Sequence, residues 1–443
     1  MLSKMTNILT VAGSDPVAGA GIQADLKAIE ALGMHACTVI TCITAQNTKG
    51  VFSISPVSPE EVDRQLESVL TDVSVNAVKT GMLFDAETVR VVSNRIRSLD
   101  VPVVVDPVMR ATTGGSLHSK GLADELRSQL LPLATLVTPN VHEVKALTGV
   151  SVKDPASVRR AARSLTRDGA RAVLIKGGHM RGRNAIDYLF CDGRMVEVST
   201  PRVRGDVHGT GCVLSSMIAT YLSTGTELEQ AVRASKAATF KAILSSERIG
   251  GGVPCANPLS LLRQEAMKAG MLVELDKAVA ELQPLMDSRL LPEVGSNMGY
   301  AVIGALEPQD VAAFTGRITR VGDHAEVSGC ARFGASKHVA RIVLAASAKD
   351  PSVRCALNIK YSARTVRACR EAGLIVASFD RSHEPRGASS MTWGVTYAIK
   401  RQGRVPDVIF DRGGQGKEPM IRLLAGTPAE VVEKLRSIHV RLD

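Results

Sequence analysis

The sequence predicts an α/β protein in two parts, the first built on a mostly parallel sheet and the second on a mixed one. Its 443 residues amount to about three typical domains, so one core is not expected to serve all of it. Over residues 7–250, short β-branched runs alternate with helical patterns, the signature of a parallel sheet covered on both faces. At 245–258, SSERIGGGVPCANP combines three consecutive glycines with two prolines and marks the break between the parts. The expected organisation is a first domain at 1–256, a linker at 257–274 and a second domain at 275–443.

In the first part ILTVAG, CTVITCIT, VPVVVD and AVLIKGG read as strands, and GIQADLKAIEALG and ASVRRAARSLTRDG as helices. Ile22, Leu26, Ile29 and Leu32 fall at helical spacing, with Gly33 as the stop. Asp192-Gly193, between alternating segments, predicts a two-residue hairpin. Residues 259–286 read as connecting helices. A second set follows: a hairpin about Gly322-Asp323, the helix SKHVARIVLAASA, strand CALNIKY, helix SARTVRACREAG, then strands LIVASFD and VIFD.

Composition narrows the function. Hydrophobic residues at 45% and charged residues at 22% exclude wholesale disorder. The net charge of +10 asks for an anionic partner, yet aromatics are 3% and no long Lys/Arg run occurs, so small anions fit better than nucleic acid. No apolar run approaches the ~20 residues of a membrane helix, and the opening MLSKMTNILTVAGSD is too polar for a secretory signal, so a cytoplasmic protein without membrane partners is expected. The eight cysteines show no CxxC pair and imply neither disulfides nor structural zinc.

The chemistry concentrates in a few segments. Val207-His208-Gly209-Thr210-Gly211-Cys212 opens an apolar helix; glycines that turn N–H groups toward one point, backed by the helix dipole, make a cradle for a phosphoryl anion. A thiol at that end is expected to ionise more readily and act as a base or nucleophile. Alone, the segment reads equally as a glycine turn with a buried cysteine. Other strand ends add polar groups: Asp106 in VVVDPVM, Thr138-Pro139-Asn140, and Lys176-Gly177-Gly178-His179. Singly, Asp106 reads as a helix cap and Lys176 as a solvated charge; together they point to phosphoryl transfer.

GSDPVAGAGIQADLK, TAQNTKGV, KTGML, VVDPVM, TPNVHEV, IKGGH and HGTGC, in this order, resemble the hydroxymethylpyrimidine/phosphomethylpyrimidine kinases, a branch of the ribokinase-like three-layer α/β/α superfamily. The resemblance implies two successive ATP-dependent phosphorylations of 4-amino-5-hydroxymethyl-2-methylpyrimidine. It places Gln46 at the pyrimidine edge, with Gly13, Asp25, Met82 and Val108 completing that pocket. Lys176 and Asn140 would lie by the ATP phosphates, Asp106 would help organise Mg²⁺, and Gly209, Thr210 and Gly211 would form the anion hole. Cys212 would take the hydroxyl proton. One departure stands out: Val17-Ala18-Gly19 replaces a turn richer in glycine, which puts selectivity against pyridoxal in question.

In the second part, RFGASKHVAR, NIKYS, FDRSHEP and FDRGGQGKEP each set Arg, Lys or His near small residues, as phosphate binding requires. GGQGKE lacks P-loop spacing, which excludes nucleotide hydrolysis there. On spacing alone, these cations also read as surface partners of Asp380, Asp411 and Glu384. With PEVGSNMGYA and TGRITRVG, the clusters resemble a thiamine-phosphate synthase domain found fused behind this kinase. That resemblance implies a three-layer α/β/α fold with a mixed sheet and the joining of the pyrimidine diphosphate to thiazole phosphate. It carries over Arg317 and His338 as catalytic candidates, with Arg332, Ser336, Asn358, Lys360, Asp380, Arg381, Asp411, Arg412 and Lys417 as further substrate-binding candidates. Expected partners are these small molecules and further copies of the chain in a homo-oligomer. The competing reading is a pyridoxal-type vitamin kinase carrying a domain that senses thiamine phosphate.

Overall fold

The computed structural model describes residues 5–109, 121–178, 180, 182–322, 324–385, 390–414 and 416–442. It comprises two compact units that divide between Leu262 and Arg263. The first runs β1 (Asn7–Ser14), α1 (Gly21–Glu30), β2 (His35–Asn47), β3 (Gly50–Pro56), α2 (Pro59–Asp72), β4 (Ala77–Thr80), α3 (Ala86–Ile96) and β5 (Val103–Val105). It continues with α4 (Leu122–Glu125), β6 (Leu136–Val137), α5 (Val141–Thr148), α6 (Pro155–Arg167), β7 (Ala172–Ile175), β8 (Asn184–Cys191), β9 (Arg194–Pro201), α7 (Thr210–Ser223) and α8 (Leu228–Leu244).

Its nine strands lie in the order β3-β2-β1-β4-β5-β6-β7-β8-β9. Pairing is parallel from β2 to β7 and antiparallel at both flanks. Because β1 pairs with both β2 and β4, the chain changes direction across the sheet there, and the carboxyl ends beside such a switch point are where open sheets bind ligands. The expected hairpin forms between β8 and β9, with Asp192 at φ 50° and Gly193 at φ 74°, as a twist-matched two-residue turn demands.

Alternation along each strand feeds two cores. In β4, Val78 packs with Leu9, Val11 and Val105, whereas Ala77 packs with Ile8, Val104 and Leu136. Lys79 shares the Ala77 face, toward α1 and α7, and is fully buried. That placement corrects the stripe expected for α1. Leu26 is 41% exposed, and the inward face carries Ile22, Asp25, Ala28 and Ile29 instead. The helix is turned so that Asp25 meets Lys79.

Between the prolines and the second sheet runs one long helix, α9 (Ser260–Leu282), and the division between units falls in its first turn. Met271, Leu275, Val279 and Leu282 are buried in the second unit's core. That unit continues β10 (Met298–Ala301), β11 (Val311–Phe314), β12 (Ile318–Val321), β13 (His324–Val327), β14 (Ala331–Phe333), α10 (Lys337–Ser347) and β15 (Cys355–Lys360). Then come α11 (Ala363–Glu371), β16 (Val376–Ser378), α12 (Ser390–Gln402), β17 (Val408–Asp411), β18 (Met420–Ala425) and α13 (Pro428–His439).

Seven strands form a mixed sheet, β14-β11-β10-β15-β18-β17-β16, with only β16 and β17 parallel. Helices α9, α11 and α13 pack one face and α10 and α12 the other, giving the three layers. In β18, Ile421 and Leu423 enter the first core and Leu424 the second, so Arg422 lies on the α10/α12 side. No helix among the described residues is long and apolar enough to cross a membrane.

Candidate active sites

A cavity of about 920 Å³ opens at the carboxyl ends of the first sheet. Gly13, Gln46, Met82, Asp106, Val108, Asn140, Lys176, Gly209, Thr210, Gly211 and Cys212 all line it. Of the residues expected there, Asp25 alone does not. Two glycine turns meet at its mouth: Gly209, at φ 80°, packs so closely that a Cβ would sit 1.7 Å from the Gly19 carbonyl oxygen. Helix α7 starts at Thr210, so the N–H groups of its first turn lack intrahelical acceptors and can take an anion. Within that turn, a Cβ on Gly211 would lie 3.1 Å from Lys176 Nζ and 3.7 Å from Asp106 Oδ2, which puts the cradle against the site's charged pair.

Lys176 Nζ donates to Asp106 Oδ1 at 2.6 Å and stands 4.0 Å from Glu143 Oε2. Burial works against its charge, but Asp106 and Glu143 outweigh burial and hold it well above the usual lysine range. Asp106, almost wholly buried, also accepts from Thr138 and Ser215. Burial pushes the Glu143 carboxyl up to about 7 against the pull of Lys176. Asn140 caps α5, its Oδ1 accepting from the His142 and Glu143 N–H groups, so only its amide NH₂ remains for phosphate. His179 of the same strand-end motif lies outside the described residues.

At the acceptor end, Met82 and Val108 join Cys42, Val51, Ile54 and Phe84 in a small apolar cluster beside Gln46. Asp15, unremarked in the sequence, ties this end together. Its carboxylate accepts from the Val17, Gly19 and Ala20 N–H groups and faces His208 Nε2 at 3.3 Å. Burial opposes its charge, yet His208, Gln46 and the backbone donors hold it down at about 2. The turn it organises places Ala18 at φ 57°, a left-handed conformation suited to glycine.

Two expectations need correction. Asp25 is fully buried and saturated, accepting from Thr10 Oγ1 at 2.7 Å, Lys79 Nζ at 2.7 Å and Ser216 Oγ at 2.8 Å, so it supports the pocket rather than touching substrate. The thiol of Cys212 does not ionise more readily. Burial pushes it up to about 11, against the help of Lys79 and a hydrogen bond from the Gly21 N–H.

Among the described residues, no three His, Cys, Asp or Glu side chains are grouped to hold a metal ion. Asp106 and Glu143, both on Lys176, do supply the one or two carboxylates that Mg²⁺ needs when phosphates complete its shell. The donors fit a Mg²⁺ that arrives with a nucleotide.

In the second unit the sites gather around one buried carboxylate. Asp411 holds Arg381 through both oxygens at 2.6 and 3.1 Å and Arg422 at 2.8 Å, and accepts from the Gly413 N–H. It orders guanidiniums and is not itself open to substrate, contrary to expectation. Both arginines lie over the Phe379 ring. His338, on the first turn of α10, feels Arg422, Arg317, Arg381 and Arg341; desolvation and then these cations push its imidazole down to about 4. The ring is therefore neutral near pH 7, with one N–H to donate and one nitrogen to accept. Arg317 is exposed and donates to the Val294 carbonyl.

Asn358 is committed to structure, its amide bridging the Asn297 N–H and the Gly295 carbonyl. Lys360 reaches the Ser288 carbonyl, Asp380 caps the Ser382 N–H, and Lys417 pairs with Glu384 at 3.5 Å. Of the pairings that the plainer reading of the sequence placed at the surface, Lys417 with Glu384 lies there, whereas Asp411 pairs with its arginines in the interior. Arg332 on β14 and Arg412 after β17 are exposed, and Ser336 is the N-cap of α10. Arg422, missed in the sequence, is the largest fully buried side chain.

A glycine cradle opening a helix against a lysine–carboxylate pair, at the switch point of a parallel sheet, defines a phosphoryl-transfer enzyme of ribokinase-like fold, here joined to an arginine-rich α/β/α domain. Residues 15–257 match the family model described as phosphomethylpyrimidine kinase, and 274–437 that of thiamine-phosphate synthase ThiN. The bifunctional thiamine biosynthesis protein ThiDN of Methanocaldococcus jannaschii is 33% identical over 443 residues, 98% of each chain. A hydroxymethylpyrimidine/phosphomethylpyrimidine kinase of Rhizobium meliloti is 45% identical, covering 54% of this chain and 91% of that one. The structure of Staphylococcus aureus pyridoxal kinase in complex with AMP-PCP and pyridoxal superposes with a TM-score of 0.55 at 28% identity, covering 59% of this chain and 96% of that one. The chain belongs to the bifunctional thiamine-biosynthesis family, kinase first and thiamine-phosphate synthase second.

Proposed function

We propose that the first unit phosphorylates hydroxymethylpyrimidine twice in the 920 Å³ cavity and that the second unit joins the resulting diphosphate to thiazole phosphate. The observation that carries the kinase reading is the approach of Gly211 to Lys176 and Asp106 on the wall that also bears Cys212. The pyrimidine sits against Met82 and Val108 with Gln46 at its edge, and the transferring phosphoryl group meets the N–H groups of Thr210 and Gly211. Lys176 leaves Asp106 in part to hold ATP phosphate, while Asn140 offers its amide NH₂. Mg²⁺ held by Asp106 and Glu143 would neutralise phosphate charge.

Cys212 accepts the hydroxyl proton in the first transfer. In the second, the attacking phosphate oxygen is already anionic and needs charge neutralisation more than a base. Cys212→Ala should therefore lower the first transfer by about 10²- to 10⁴-fold and the second much less; equal loss of both ends this division. With the thiol near 11, its reactive form grows with pH across the neutral range, so the first transfer should accelerate with pH and the second should not.

In the second unit, the carbon–oxygen bond to diphosphate breaks as the aminopyrimidine delocalises the methylene cation, and the thiazole nitrogen captures that carbon. Arg317 and Arg381 hold the departing diphosphate, and His338, neutral in the unliganded site, orients it. A coupled assay of the whole chain with ATP, Mg²⁺, hydroxymethylpyrimidine and thiazole phosphate, following thiamine phosphate, tests both halves. Pyridoxal offered as acceptor separates the competing kinase reading: preference for it would overturn ours. Tight binding of thiamine phosphate without turnover would make the second unit a sensor.

A further inference from the structure

Lys79 is an ammonium placed where strand patterning calls for an apolar side chain. All four residues of β4 are buried, and Lys79 has no exposed surface. Asp25 Oδ2 accepts from it at 2.7 Å, while Thr10 and Ser216 complete the carboxylate's shell. The aspartate is therefore satisfied from β1, β4 and α7 together, whereas the ammonium has other N–H donors left. Lys79 lines the same cavity as Cys212. Gly81 makes this possible: a Cβ there would lie 2.9 Å from Lys79 Nζ and 3.0 Å from the Ala12 side chain, so any larger residue would wall the ammonium off.

We propose that Lys79 is a positioning residue of the kinase site, anchored by Asp25 beneath the cavity wall so that its fixed positive charge governs how readily Cys212 gives up its proton. The proposal rests on the reading of Cys212 as the base of the first transfer. The charged groups acting on that thiol come from four elements: Lys79 from β4, Asp25 from α1, Asp106 after β5 and Lys176 after β7. Lys79 favours the thiolate, and Asp25 and Asp106 oppose it. A purely structural ion pair would let either partner be neutralised with the same outcome. A charge acting on the thiol predicts opposite outcomes.

The test is alkylation of Cys212 by iodoacetamide as a function of pH in the full-length chain, read by mass spectrometry of the Cys212 peptide. Lys79→Met should slow modification at least tenfold at a fixed alkaline pH below the midpoint, and Asp25→Asn should speed it. Lys79→Met/Asp25→Asn should fall between the two single variants and, having no unpaired buried charge, keeps the test decisive if Lys79→Met does not fold. Shifts of the same sign in the two single variants, or no shift in Asp25→Asn and the double variant, overturn the proposal. Should the thiol shift as expected while the first and second transfers slow equally in Lys79→Met, the charge effect stands and the base role of Cys212 falls.

Discussion

The two units handle negative charge in opposite ways. In the first, Lys79 is matched to Asp25, Lys176 to Asp106 and Lys236 to Asp187. Anion binding is left to backbone N–H groups at the start of α7. In the second, two arginines share the single carboxylate of Asp411, and Arg317 and Arg341 add to the field on His338. The difference teaches that a site for transferring a phosphoryl group can be electrically complete before its substrates arrive. A site for releasing diphosphate holds positive charge in reserve, with one carboxylate keeping it in place.

The sharpest way to break the comparison is to remove that carboxylate. Asp411→Asn leaves Arg422 buried without a counter-charge and should destabilise the second unit by about 3–5 kcal/mol, read as a lower denaturant midpoint while kinase activity persists. The wild-type carboxyl titrates below its ordinary value: burial resists the charge, and Arg381 and Arg422 outweigh it. Its stabilisation is therefore complete above the unfolded value of about 4 and fades as pH falls through the folded value. The gap between wild type and variant should close in strong acid.

The counterpart in the first unit is backbone, not charge. Gly209→Ala would drive a methyl group into the Gly19 carbonyl and hold alanine at φ 80°. Kinase kcat/KM should fall by about 10²-fold, with thiamine-phosphate synthesis from supplied diphosphate unchanged. An equal loss in both activities would mean that the cradle is not confined to the kinase.

A subtler measurement concerns His338. Its imidazole should protonate near pH 4 in the free protein and markedly higher with diphosphate bound, followed by NMR titration. In the free protein the folded ring binds fewer protons than the unfolded one between about pH 4 and 6.5, so stability from this group rises with pH across that window. An unchanged titration on adding diphosphate would place the anion elsewhere. The smallest effect belongs to the turn: Ala18→Gly removes a left-handed alanine and should stabilise the first unit by about 0.5–1 kcal/mol, visible as a slightly raised thermal midpoint.

Much of this was legible in the sequence because it is local. The Asp192-Gly193 turn, the helix after His208-Gly209-Thr210 and the strand-end positions of Asp106, Asn140 and Lys176 follow from neighbours in the chain. The missed residues were visible as anomalies: Lys79 in AVKTGML and Arg422 in MIRLLA are charges inside apolar strands. Their meaning was hidden because their partners are remote. Asp25 meets Ser216 across 191 positions, and Arg422 meets Asp411 only through the pairing of β17 with β18.

The sequence by itself determined the alternation of elements and the glycines that free backbone donors, since both depend on spacing and backbone freedom over a few residues. Only the tertiary structure decided which charges are buried, which carboxylate each cation meets and whether Cys212 and His338 carry a proton. Those depend on how far water is excluded and what stands nearby in space, and neither quantity is encoded by distance along the chain.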